Sequence, residues 1–224
     1  MPTLYSNEAS GNSYKARLLA SFLNIPLDII QLDLRNSEQR GEKFLAINSK
    51  GEVPTLVDGD LVLTDSAAIL VYLAGKYYNS PDGNNWWSTD ITGQALITNW
   101  LAFAASWVQY GVFTARAIVS LGGAFNGLGT TSTEQTLREA RIRGEKSLQI
   151  LDQHLGSVEW LVLGRPTIAD IAVFPYVALA PMGDISLEPF GNVRSWIGRI
   201  RELSRFIPMD GLDDPLYLWT DRST

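Results

Sequence analysis

Pro54-Thr55-Leu56-Val57-Asp58-Gly59-Asp60-Leu61-Val62-Leu63 decides how the first third of this chain folds. Two short runs of apolar, β-compatible residues flank Asp58-Gly59. An Asp-Gly pair between such runs supplies the positive φ angles of a tight hairpin, so the stretch reads strand, turn, strand. Upstream, Thr3 to Ser6 is a short strand, and Ser13 to Asn24 is a helix with Ala16, Leu18, Leu19, Phe22 and Leu23 on its apolar side. Ile25-Pro26 ends that helix, and Leu27 to Asp33 reads as a second strand. Ser37 to Ile47 forms a short polar helix with Phe44, Leu45 and Ile47 facing in. Downstream of the hairpin, Ser66 to Tyr78 is helical, with Ile69, Leu70, Tyr72 and Leu73 at helical spacing. Residues 1–79 thus read β-α-β-α-β-β-α, a pattern that packs as a sheet with helices on its faces.

Residues 80–88 are a linker, dense in turn formers: Ser80, Pro81, Asp82, Gly83 and Asn84. Residues 89–224 form a second, helical domain. It holds one long helix from Ala95 to Leu121, a glycine-rich loop over 121–133, a second long helix from Thr133 to Leu155, and shorter helices over 167–179 and 192–203. The tail after Pro208 is irregular and contains Tyr217 and Trp219.

The chain has 224 residues, a net charge of −6, one histidine and no cysteine. An acidic chain without a basic run argues against nucleic acid as a partner. The missing cysteines remove disulfides, thiolate metal sites and cysteine nucleophiles together. No stretch reaches about 18 uninterrupted apolar residues and no secretory leader opens the chain, so no membrane partner is expected and a cytoplasmic location is the default. The lone His154 lies near a helix end, where a polar or cationic residue is an ordinary device, and it is given no catalytic role.

Four motifs carry a family resemblance. Leu4-Tyr5-Ser6, a loop, then Ser10-Gly11-Asn12-Ser13-Tyr14-Lys15-Ala16-Arg17 resembles the first strand, loop and helix of serine-type glutathione transferases, the zeta, theta and nu-like members. Phe44 to Leu56, with Val53-Pro54 near its end, resembles the family's segment leading to a cis-proline. Leu63-Thr64-Asp65-Ser66-Ala67-Ala68-Ile69 is similar to its acid-serine motif, and Gly164 to Ala172 to its helix-start motif. The resemblance implies an α/β thioredoxin-like N-terminal domain followed by an all-α helical domain. It further implies glutathione as cosubstrate, a small hydrophobic electrophile as second substrate, and a homodimer with the acid-serine region near its interface.

By this resemblance Ser10 is the catalytic residue. A thiol near pKa ~8.5 is mostly protonated at neutral pH, and only the thiolate is a good nucleophile. A hydroxyl donor together with the positive end of a helix lowers that pKa, and a lowering by about 1–2 pH units takes roughly 1.4–2.7 kcal/mol. Taken alone, a Ser-Gly-Asn cluster before a helix is equally a turn and a cap. Asn12 either faces the thiol as well or caps the helix, and Ser13 is read as a cap only. Tyr5 lies in the strand and is not equated with the tyrosine of other members.

The resemblance assigns glutathione binding to Ser10, Gly11, Asn12, Glu52, Val53, Pro54, Asp65 and Ser66. The backbone of Val53 pairs with the cysteinyl backbone as an added strand would. The helix start at Ser66 takes the γ-glutamyl carboxylate, and Asp65 takes the ammonium. Asp65 stands where many members have glutamate, and Glu52 where lysine or glutamine is common, which bears on affinity. Thr167-Ile168-Ala169-Asp170 is a capping box and structural.

Trp100, Phe103, Trp107 and Tyr110 recur at spacings of three and four. Trp100 belongs to the core on this reading, while Phe103, Trp107 and Tyr110 line an aromatic site for the electrophile or are core themselves. The reaction is conjugation to an electrophilic carbon, glutathione-dependent isomerisation of a conjugated double bond, or peroxide reduction. A non-catalytic glutathione-binding or dimerisation module is the competing class.

Overall fold

The computed structural model describes residues 1–79, 86–122 and 132–213. Most of the 80–88 linker, most of the 121–133 glycine-rich loop, and the tail with Tyr217 and Trp219 lie outside the described residues.

The chain divides into two compact units, Met1–Ser88 with Ser204–Met209, and Thr89–Leu203 with the remainder. In the first, β1 (Thr3–Ser6), β2 (Asp28–Gln31), β3 (Thr55–Asp58) and β4 (Leu61–Leu63) form one sheet in the order β2-β1-β3-β4. β1 runs parallel to β2 and antiparallel to β3, with Leu4 opposite Ile29 and Leu56. The Asp58-Gly59 turn joins β3 to β4 in antiparallel register, and Gly59 has the positive φ of 62° that the turn requires. Helices α1 (Gly11–Phe22) and α3 (Ser66–Lys76) pack on each other, burying Leu18, Leu19, Phe22, Ile69, Leu70 and Leu73 with Leu4 and Leu56 of the sheet. The segment expected as a helix over 37–47 is instead a 3₁₀ turn (Glu38–Arg40) and a single-turn α2 (Glu42–Leu45) that anchors itself by Phe44. Gly41 lies extended between them and interrupts the helical hydrogen bonding.

The first unit recruits a late piece of chain. Tyr14 Oη donates to the carbonyl of Ile207 (2.6 Å), and Ser21 Oγ to that of Arg205 (2.7 Å). Trp86, within the expected linker, stacks on Phe22 at 4.8 Å.

The second unit is helical. The expected long helix begins earlier and changes winding: α4 (Ile91–Phe103), a π-helical stretch (Ala104–Phe113) and α5 (Thr114–Ser120). Asp90 sets the earlier start, its carboxylate accepting from the amide of Gly93 (2.9 Å). Then follow α6 (Glu134–Leu155), α7 (Ile168–Ala178) and α8 (Gly191–Arg201). α7 is buried along its entire length and forms the centre of this unit. Its capping box is formed as read: Thr167 Oγ1 accepts from the Ala169 amide (3.2 Å), and Asp170 reaches back to the Thr167 amide (2.9 Å).

The π-helical stretch lies against α6 with almost no clearance. A Cβ at Gly111 would sit 2.7 Å from the backbone nitrogen of Gly144, a distance real Cβ atoms do not adopt. Gly111→Ala is therefore expected to force the two helices apart and lower stability by about 1–3 kcal/mol. Chemical denaturation checks this, and a midpoint equal to that of the parent chain contradicts it.

Candidate functional site

The loop from β1 to α1 is held by its own polar side chains. Asn7 Nδ2 donates to the Leu32 carbonyl (3.0 Å), Asn7 Oδ1 accepts from the Ala9 amide (3.0 Å), and Arg17 donates to the Glu8 carbonyl (3.1 Å). This delivers Ser10 to the N-cap of α1 in an extended conformation, φ −78° and ψ 113°. Its Oγ accepts from the Ser13 amide (3.1 Å). A hydroxyl that accepts there still has its own proton to donate, and accepting from a helix N-terminus makes it a stronger donor.

Two readings change here. Ser13 is not the cap; its amide is the group that Ser10 caps, and its own Oγ accepts from the Asn7 amide (3.4 Å). Asn12 is not a cap either. It lies inside the first turn, and its Oδ1 accepts from Lys15 Nζ (2.8 Å) and Ser66 Oγ (3.4 Å). Asn12 thus ties the N-terminus of α1 to that of α3.

Asp65 caps α3, its Oδ1 accepting from the Ala67 amide (2.8 Å). Ser66 is the first helical residue, half-buried, and Asp65 is exposed. The Val53-Pro54 peptide bond is cis. Before it, Asn48 Nδ2 (2.9 Å) and Thr55 Oγ1 (3.1 Å) both donate to the Glu52 carbonyl. The backbone of Val53, by contrast, takes no partner among the described residues. Glu52 is exposed and Pro54 buried. Tyr5 packs its ring on Phe44 at 5.4 Å, a core contact.

The residue that motif reading passed over is Lys15. It is 4% exposed, and burial lowers its ammonium to about 8 while the charge of Asp65 pulls the other way. The signal was in the spacing: Lys15, Leu18, Leu19 and Phe22 fall on one stripe of α1, so a lysine occupies an apolar position. In the unfolded chain a lysine titrates near 10.4, so folding disfavours its charged form fully below pH 8, and this penalty fades as pH rises from there. Lys15→Met is expected to raise stability at pH 7 by about 2 kcal/mol, once roughly 1 kcal/mol for the lost hydrogen bond is set against the relieved desolvation. The advantage shrinks between about pH 8 and pH 10, which denaturation at several pH values measures.

In the helical unit Trp100 is buried, its ring 5.1 Å from Phe103 and 4.7 Å from His154. His154 Nε2 lies 2.8 Å from the Leu161 carbonyl, a structural contact. Phe103 is half-buried, whereas Trp107 and Tyr110 are 37% and 64% exposed. The buried positions of the π-helical stretch are Ala104, Val108, Gly111 and Val112. Among the described residues no group of His, Cys, Asp or Glu can hold a metal, and no helix is long and apolar enough to cross a membrane.

Comparison with known proteins agrees with this architecture. Residues 2–75 match the model of the glutathione S-transferase N-terminal domain, and residues 105–203 that of the C-terminal domain. Human glutathione S-transferase theta-2B is 31% identical over 199 residues, covering 88% of this chain and 79% of that protein. Protein URE2 of Candida maltosa is 36% identical over 107 residues, covering 46% of this chain and 33% of that protein. The crystal structure of a possible glutathione S-transferase from Rhodopseudomonas palustris superposes with a TM-score of 0.81 at 32% identity, covering 93% of this chain and 98% of its own. Two family models in the right order, a relative matched along most of both chains, and a thioredoxin-like unit followed by a helical one lead to one assignment: the chain belongs to the glutathione S-transferase family.

Proposed function

We propose that the chain binds glutathione on its N-terminal unit and holds the thiol as thiolate for addition to a hydrophobic electrophile. The observation that carries this reading is the meeting of two helix N-termini at the Asn12–Ser66 contact, with Ser10 capping one and Asp65 the other. Helix N-termini favour negative charge, and glutathione brings a thiolate and a γ-glutamyl carboxylate. In this reading Ser10 Oγ donates to the sulfur. Asn12 gives a second donor, with Gly11 beside it in the first turn. The N–H and C=O of Val53, without partners among the described residues, pair with the cysteinyl backbone, Pro54 shaping that segment and Glu52 flanking it. Ser66 and the α3 amides take the carboxylate, and Asp65 takes the ammonium. The second substrate lies along the aromatic side chains of Phe103, Trp107 and Tyr110. The family's dimeric, cytoplasmic habit is proposed for this chain too.

Retention on immobilised glutathione, followed by turnover of a panel of electrophiles, tests the reading. Retention with no turnover on any electrophile, conjugated alkene or peroxide would place the chain among binding or dimerisation modules. Loss of both would sink the reading. Asp65→Asn separates binding from capping. Asparagine caps as well as aspartate does, so the cap itself is kept and stability falls only by the lost attraction to the Lys15 ammonium, while glutathione affinity falls about tenfold with the lost charge. Calorimetry and a thermal melt on the same sample check both halves.

A further inference from the structure

We propose that Lys15 is a positioning residue for thiol activation: by donating to Asn12 Oδ1 at 2.8 Å it turns the Asn12 amide so that its Nδ2 hydrogens face the bound sulfur. The proposal rests on the function proposed above and adds a residue to it. A side-chain amide has an acceptor on one side and two donors on the other, and its neighbours decide which way it points. Two donors converge on Oδ1, the Lys15 ammonium and the Ser66 hydroxyl (3.4 Å). Ser66 does not settle the orientation, because a hydroxyl accepts as readily as it donates. An ammonium only donates. Rotating the amide by half a turn would set its hydrogens against a buried cation, so Lys15 permits one orientation only.

The position makes the case independently. Lys15 occupies the apolar stripe of α1 and is 4% exposed, where a hydrophobic residue would be more stable. Asp65 at the α3 N-cap is the charge that faces it. A lysine at such a site supplies what no apolar side chain can, a fixed donor. Its charge behind the carbonyl also polarises the amide and strengthens the N–H donors on the far side.

The test follows the ultraviolet absorbance of glutathione thiolate, bound to saturation, as pH is varied. Lys15→Met is expected to raise the bound thiol's pKa by about one pH unit, leaving about tenfold less thiolate at pH 7. The KM for glutathione should change by less than about threefold, since the residue does not touch the tripeptide. Lys15→Arg, which keeps a charged donor, is expected to restore most of the lowering. In an Asn12→Ala background Lys15→Met should add nothing, because its effect passes through that amide. An unchanged titration in a Lys15→Met protein that still binds glutathione would overturn the inference, as would an equal shift in the Asn12→Ala background. The parent chain is titrated first. A bound thiol titrating there as free glutathione does would remove the proposed function itself, before any Lys15 variant is read.

Discussion

Ser10→Ala is expected to lower turnover at pH 7 by about 10- to 100-fold, the thiolate fraction lost when a thiol pKa climbs by about 1–2 pH units. The deficit has a required pH dependence. Below both pKa values each protein holds a fraction of thiolate set by its own pKa, and the full ratio appears. Once pH passes the ordinary thiol range both hold nearly all thiolate, and the rates converge. A deficit that persisted unchanged at high pH would mean the serine acts on something other than ionisation. Alanine also removes the α1 cap, worth about 1 kcal/mol, because Ser10 Oγ accepts from the Ser13 amide. Two companions separate these effects. Ser10→Gly costs only a few tenths as a cap yet loses the hydroxyl, so it should match alanine in turnover and the parent in stability. Ser10→Thr keeps both functions and should recover most of the rate.

Asp170→Ala is expected to be strongly destabilising, by about 3–5 kcal/mol, with a fall in melting temperature of roughly 6–20 °C. Asp170 is 1% exposed and accepts four hydrogen bonds. The donors are the Leu161 amide (3.1 Å), the Trp196 indole (2.9 Å), the Thr167 amide (2.9 Å) and the Thr167 hydroxyl (3.3 Å). Burial pushes its carboxyl up while these donors pull it down. Alanine would leave them facing a cavity, each buried and unmatched. The carboxylate also joins α8, the loop at Leu161 and the start of α7, so its loss loosens the centre of the helical unit. Asp170→Asn should fall between, since one oxygen still accepts while the amide hydrogens oppose one pair of donors. Differential scanning calorimetry measures all three proteins. Asp170→Ala melting within about 2 °C of the parent would refute the argument, because that corresponds to less than about 1 kcal/mol.

Particular residues show what the sequence could reveal. The Asp58-Gly59 hairpin was legible because the pair has one common use between two apolar runs, and β3 and β4 form there in register. The capping box at Thr167 was legible because both partners lie within three residues of each other. Local chemistry carried both. Asn12 was ambiguous for the opposite reason. The sequence left open whether it caps α1 or faces the thiol; its Oδ1 meets Lys15 and Ser66, the latter 54 residues distant, and no local rule sees that contact. The aromatic series was legible as a stripe but not in its burial. Across the π-helical stretch from Ala104 to Phe113 the buried positions Ala104, Val108, Gly111 and Val112 still recur at three and four, and Trp107 and Tyr110 between them are exposed.

The return of residues 204–209 to the first unit bears on how the protein is made. Helix α1 carries Ser10, Asn12 and Lys15 on the side described above, and its Tyr14 hydroxyl waits for a carbonyl 193 residues later. Domains that are contiguous in sequence can finish folding while their successors are still being translated. This one cannot. A ribosome must deliver the chain through Ile207 before α1 gains these two hydrogen bonds, and a fragment ending at Ser88 would leave Tyr14 and Ser21 without those acceptors.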